Sequence, residues 1–258
     1  MTISIVIPTS SRPERCFSLV DSLKNASDIE IIVVENGSSL ANKKRYSRLF
    51  KAFPEFVKLV FSFEVGAPKA RNLGASISSF DWVWFIDDDD MVESSTINDC
   101  VQVCKRVKNI EVIITPFSLL SDPKKIYSYS YDTANFKYIR KFGHIGNANI
   151  IIIRKIFFNQ LGRWDCSLPC GQDTDFFLRV FKESPLLYFL NTTPVEIRDD
   201  FRGRITLDPN IQMRGKIIFL YKHLGNLHLL RISRYLISFI IAWPYLKFIY
   251  WKIKGDNR

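Results

Sequence analysis

The chain has 258 residues, 47% of them hydrophobic and 24% charged, which is enough apolar material to bury a core and too much for a disordered chain. The net charge is +10, yet residues 202–258 carry eleven of the 36 Lys and Arg against Asp208 and Asp256, so +9 lies in that tail and the first 201 residues are nearly neutral. A body without spread basic charge argues against a nucleic-acid partner, whereas a basic tail rich in aromatic and aliphatic residues suits an anionic membrane surface.

In chain order, Ile3 to Pro8 is a short β-branched run ended by proline, and Ile29 to Val34 is a second, with a periodic segment from Cys16 to Leu23 between them. Strand, helix, strand predicts a parallel pair. Val57 to Phe63 reads as a third strand, Ala67 to Ser78 as a helix rich in small residues, and Trp82 to Ile86 as an apolar strand running into Asp87, Asp88, Asp89 and Asp90. This βαβα alternation predicts a doubly wound sheet with its ligand site beyond the carboxyl ends of the strands. Ser94 to Val107 reads as a helix capped by Ser94 or Ser95, and Glu111 to Pro116 as a strand. From Phe117 to Gly146 the chain is polar and tyrosine-rich, which predicts a substrate-facing insertion. Asn149 to Ile153 returns to strand; Lys155 to Leu161 and the segment from Asp173 to Phe181 read as helices.

Tyr235 to Trp251 is apolar almost all round, but Ser238, Pro244 and Lys247 interrupt it. It falls short of the roughly 20 residues that span a bilayer and is flanked by Arg231, Arg234, Lys252 and Lys254, so an interfacial helix is expected. Because the chain enters a strand at once, a cytoplasmic setting is expected, with Cys16, Cys100, Cys104, Cys166 and Cys170 as reduced thiols. Cys100 and Cys104 lie one helical turn apart beside Val101, Val103 and Val107, which favours a core-facing stripe over a zinc site.

Two features carry chemistry. Four adjacent carboxylates at a strand end repel one another unless a cation or solvent relieves the field; a hard divalent cation sharing phosphate oxygens is one answer, a solvated acidic turn before a helix the other. Gly171-Gln172-Asp173-Thr174-Asp175 puts carboxylates at a loop-to-helix junction, where one can serve as a general base or simply as a helix cap, with Asp175 and Arg179 in salt-bridge register.

The succession Ile5-Val6-Ile7-Pro8-Thr9, Val34-Glu35-Asn36-Gly37, Gly66-Ala67-Pro68-Lys69-Ala70-Arg71-Asn72, Ile86-Asp87-Asp88-Asp89-Asp90, then Gly162-Arg163-Trp164-Asp165 ahead of Gly171-Gln172-Asp173 resembles family 2 glycosyltransferases over residues 3–181. The resemblance implies an α/β GT-A fold, with residues 1–205 as catalytic domain (1–90 for the nucleotide-sugar, 91–205 for the acceptor); by its basic, apolar composition 206–258 is expected to be a membrane-associating helical tail. The resemblance also implies inverting transfer from a nucleotide-diphosphate sugar, UDP favoured, to a glycan or lipid-linked oligosaccharide at the inner face of the membrane, as in surface-polysaccharide assembly. By this resemblance Pro8, Thr9, Arg12, Glu35, Asn36, Arg71, Asp87 and Asp88 bind the donor. Asp89 holds Mn2+ or Mg2+, and Asp173 is the base. Trp164, Asp165 and His144 are candidates for the acceptor side, and Arg202 and Arg204 for the diphosphate. Asn36 departs from the usual aspartate and Gln172 from the usual glutamate. A sugar nucleotidyltransferase would need a glycine-rich loop after the first strand, which Thr9-Ser10-Ser11-Arg12-Pro13 lacks; a non-catalytic polyanion binder would leave the acidic cluster without a role.

Overall fold

This computed structural model describes residues 2–143, 147–199 and 208–237. Its described residues form two compact units. The first comprises residues 2–130, 147–164 and Pro185–Asp199; the second comprises residues 131–143, 165–184 and 208–237.

The first unit is built on a seven-stranded sheet of order β3-β2-β1-β4-β8-β5-β9. Strands β1 (Ile3–Thr9), β2 (Ile29–Asn36), β3 (Val57–Ser62) and β4 (Trp82–Phe85) are parallel, as the alternation predicted. Every residue of β1 and β2 is buried, which is why these strands read as continuous apolar runs. Helices α1 (Pro13–Leu23), α2 (Leu40–Phe50) and α3 (Ala67–Ile77) supply the crossovers. Strand β8 (Ile151–Arg154) is antiparallel to both β4 and β5 (Val112–Ile114), and β9 (Leu187–Phe189) closes the edge beside β5. β1 lies between β2 and β4, so the strand order reverses direction there, the place where open α/β sheets offer a crevice beyond their strand ends. Pro8 fits this place: β1 pairs with β4 only from Ile3 to Val6, so the missing N–H of Pro8 breaks no bond on that side.

Two expectations are corrected. Part of the tyrosine-rich segment is framework: β6 (Phe117–Leu119) and β7 (Asp122–Tyr127) join β10 (Val195–Ile197) in a second sheet, and Phe136–Phe142 is helix α5 in the second unit. Pro123 and the adjacent charges of Lys124 and Lys125 on the edge strand hid the pairing. Helix α4 (Ser94–Arg106) is capped by Glu93 without a side-chain bond, because Ser94 Oγ donates to the Ser22 carbonyl and Ser95 Oγ to Glu93. Cys100 is buried on α4 beside Val101 and Val103, and all five cysteines are free thiols.

The second unit gathers α5, α7 (Gln172–Lys182), α8 (Pro209–His223) and α9 (Leu229–Ile237). Gly171, with φ of 76°, turns the chain into α7 in a conformation glycine adopts without strain. Asp208 caps α8 by accepting from the backbone N–H groups of Asn210 and Ile211. No helix among the described residues is long and apolar enough to cross a membrane.

Helix α3 lies close on the sheet at Gly74, where a Cβ would meet the methyls of Val6 and Val34. Gly74→Ala is therefore expected to cost about 1–3 kcal/mol by overpacking, read as a lower urea midpoint at unchanged m-value; adding Val6→Ala should recover part of the loss.

Candidate active site

The acidic turn closes on itself through Asp90 N–H, which donates to the Asp87 carbonyl at 3.2 Å. It is anchored at its far end by Met91, which exchanges backbone bonds of 3.0 and 2.9 Å with Glu196 on β10. Its four carboxylates do not share one compensating charge. Arg71 Nη2 reaches Asp87 at 2.5 Å, Arg12 Nη2 pairs with Asp88 at 2.8 Å and Arg12 Nη1 with Asp89 at 3.2 Å. Asp90 is buried and accepts from Asn149 Nδ2 and, at 3.0 Å, from the backbone N–H of Arg198.

Asp88 is 1% exposed and also accepts from Thr9 Oγ1 at 2.5 Å. Burial pushes its carboxyl up to about 7, against the pull of Arg12 and Thr9 and with Asp89 and Asp87 adding to the rise. Burial likewise holds Asp90 well above the usual carboxylate range, with Asp87 adding to it. The side chains that face solvent here are those of Asp87 and Asp89, each about one-third exposed.

Behind this turn stands Tyr46 of α2, whose hydroxyl lies 2.7 Å from Thr9 Oγ1 and accepts the Arg12 backbone N–H at 3.1 Å. It fixes the segment that carries Thr9 and Arg12. Helix α2 has a polar sequence in which a buried tyrosine gives no sign of this role. Arg71, buried on α3, is held in place from a distant segment: its guanidinium stacks 4.7 Å from the Trp164 ring, and Asn72 exchanges bonds of 2.9 and 3.0 Å with the Trp164 backbone. Trp164 is 2% exposed and packs edge-on to Phe85, so it lies within the core beneath the arginine.

Glu35 ends β2 with one oxygen accepting Ser38 N–H at 2.7 Å and the other, Oε2, buried without a hydrogen-bond partner. Asn36 donates through Nδ2 to the Gly66 carbonyl at 3.2 Å. That bond requires a donor, which an ionised aspartate lacks, and so gives a reason for the amide at this position.

The second unit carries further candidate residues. Asp173 is in the first turn of α7, half-buried, after Gly171 as N-cap. Gln172 Nε2 donates to the Leu168 carbonyl at 2.9 Å and so holds the preceding loop. Asp165 accepts from Ser167 N–H at 2.8 Å and from Lys222 Nζ at 2.7 Å, which makes it a turn-forming acid. His144, Arg202 and Arg204 lie outside the described residues.

The carboxylates have the chemistry of a cation seat. Asp87, Asp89 and Asp90 each present an oxygen, and these atoms lie within 4.8 Å of one another. An all-oxygen set suits a hard ion such as Mg2+ or Mn2+ over zinc; it is the one such cluster among the described residues.

The profile of glycosyl transferase family 2 matches residues 4–162. The chain belongs to that family. A glycosyltransferase of Haemophilus influenzae, itself uncharacterized, is 26% identical over 87% of this chain and 85% of its own length. The poly(ribitol-phosphate) beta-N-acetylglucosaminyltransferase TarP of Staphylococcus aureus is 25% identical over 48% of this chain and 40% of its own length. Among solved structures, S. aureus TarS in complex with UDP-GlcNAc superposes with a TM-score of 0.63 at 14% identity, over 85% of this chain and 67% of that one. The mannosyltransferase PcManGT of Pyrobaculum calidifontis, in complex with GDP-Man and Mn2+, gives 0.63 at 12% identity, over 95% and 71%. The fold of this family 2 glycosyltransferase is thus the GT-A fold.

One cluster had only a partial signal in the sequence. Asp175 of α7, fully buried, accepts from Arg179 Nε at 2.8 Å, as the four-residue spacing predicted. Lys222 Nζ and His223 Nε2 of α8 also meet its second oxygen, each at 2.7 Å. Burial pushes the Asp175 carboxyl up, but the bonds from His223, Arg179 and Lys222 outweigh it and hold the group well below the usual range. A carboxyl depressed in the folded state gives stability that is present above its unfolded value and lost as pH falls toward the folded one. Asp175→Asn is expected to lower stability by about 3 kcal/mol at pH 7. The gap to the parent protein should narrow as pH drops below about 4, followed by urea titration across pH.

Proposed function

We propose that this glycosyltransferase moves a sugar, with inversion, from a UDP-sugar to a hydroxyl of a lipid-linked glycan in surface-polysaccharide assembly, working peripherally at the inner face of the cell membrane. The observation that carries the donor half is the convergence of Thr9, Arg12, Arg71 and the carboxylates Asp87 to Asp90 at the crevice between β1 and β4. Such a crevice is where open α/β sheets bind nucleotides. The buried, unpartnered Oε2 of Glu35 supports a base that brings an N–H, as uracil does. UDP-GlcNAc is bound by TarS, and GDP-Man with Mn2+ by PcManGT, which supports a nucleotide-diphosphate sugar and a divalent ion here.

Asp89 would hold Mn2+ or Mg2+, with Asp87 offering a neighbouring oxygen, and the ion would supply positive charge to the diphosphate leaving group. The chain's own share of the chemistry falls to Asp173, which takes the proton of the acceptor hydroxyl as that oxygen bonds to the anomeric carbon. The bond from that carbon to the diphosphate oxygen breaks with its electron pair leaving on the diphosphate, and one displacement inverts the centre. The side chain of Gln172, spent on the Leu168 carbonyl, adds no second carboxylate beside the base.

Residues 206–258 are proposed as the membrane-contacting tail. Ile217, Tyr221 and Leu224 support this, since they recur at helical spacing along α8 and its end and are exposed, Tyr221 at 91%. Arg214, also exposed, adds a basic group to the same helix.

UDP and Mn2+ together should raise the melting temperature by more than either alone, because ligands that bind the native state shift its apparent stability. Asp89→Asn should abolish that joint shift. Asp173→Asn should keep the shift and lower transfer about 100- to 10,000-fold, measured by UDP release with an acceptor extract. Near-normal transfer by Asp173→Asn would remove the base assignment.

A further inference from the structure

The second unit contains a cavity of about 220 Å3, lined by Phe136 of α5, Leu178, Arg179 and Lys182 of α7, and Lys222, His223 and Asn226 at the end of α8 and beyond. No carboxylate lines it. The two acids that bind these cations lie behind the wall: Asp175 is fully buried under Arg179, Lys222 and His223, and Asp165 takes Lys222 from another side at 2.7 Å. Counted together, three permanent cations face two carboxylates before His223 is considered, so the wall turned to the cavity is positive. Asp175 also does mechanical work here, since its bonds hold Arg179 and Lys222 in fixed positions at the rim. Lys182, three residues beyond Arg179 on the same helix face, is exposed and adds an ammonium group to it.

We propose that this cavity binds a phosphoryl oxyanion. The Lys182 ammonium and the Asn226 amide, beside the positive charge of Arg179 and Lys222 that Asp175 and Asp165 hold in place, match the acceptor sites of a tetrahedral oxyanion. The volume equals that of roughly seven waters, room for a phosphoryl group and the first part of its substituent, for which the Phe136 ring offers an apolar wall. The assignment deepens the proposed function and rests on it in one respect: the natural source is the phosphate that joins the acceptor glycan to its lipid. The same helix α7 carries Asp173 in its first turn, so an anchored acceptor and the base are served by one rigid element.

The test uses the full chain in metal-free buffer at constant ionic strength, where the acidic turn of the first unit repels anions, and follows inorganic phosphate by titration calorimetry. Saturable binding is expected, weakened about tenfold by Lys182→Glu and less by Lys182→Gln; UDP binding with Mn2+, measured separately, should be unchanged in both variants. Equal phosphate affinity in the parent protein and Lys182→Glu, or no saturable binding by the parent protein, would overturn the site. Should Lys182-dependent phosphate binding persist while UDP with Mn2+ fails to bind, the donor reading falls and the oxyanion site stands. Hexyl phosphate distinguishes the sources: tighter binding than inorganic phosphate, lost in Phe136→Ala, assigns an alkylated phosphate, and equal binding assigns the free ion.

Discussion

Four successive carboxylates at the end of one strand set the problem that the first unit solves. Like charges so close cannot all be ionised in a buried place without compensation, and the fold draws that compensation from five separate segments. Arg12 comes from the loop after β1, Thr9 from β1 itself, Arg71 from α3, Asn149 from the turn before β8, and a backbone N–H from Arg198 after β10. The result sorts the four by exposure. Asp88 and Asp90 are buried and spent on holding the turn, while Asp87 and Asp89 remain at the crevice. Alternation along the turn, one carboxylate inward and the next outward, converts a repulsive run into a scaffold that presents two carboxylates to solvent.

The same logic links the Ala-Arg-Asn segment to the Gly-Arg-Trp-Asp segment, some ninety residues apart. Trp164 supports Arg71 from below by stacking, and Asn72 holds the Trp164 backbone through reciprocal bonds. A guanidinium on an aromatic face is held in orientation without giving up its hydrogen bonds, so Arg71 can meet Asp87 in one geometry. Two segments that look unrelated in sequence serve one carboxylate.

The second unit uses the opposite balance. A single buried carboxylate, Asp175, gathers Arg179, Lys222 and His223 from two helices. The pair within α7 follows from helical spacing alone, whereas the partners on α8 are separated by nearly fifty residues and required the packing of the two helices. Gly215, where a Cβ would crowd the backbone of Cys170, permits that close approach.

The amino-acid sequence by itself determined the parallel strands β1 to β4, the family and the acidic turn, because apolar runs, strand-end acids and tight loops are local patterns with local causes. It misread what depended on pairing, the lysine-bearing edge strand β7 and the cap of α4, and gave no sign of the role of Tyr46. Only the tertiary structure decided which acids face inward, why Asn36 is an amide, and that Asp175 organises a cationic wall. Those outcomes depend on where a distant donor or acceptor arrives in space, and a buried polar group takes whatever partner the fold brings to it.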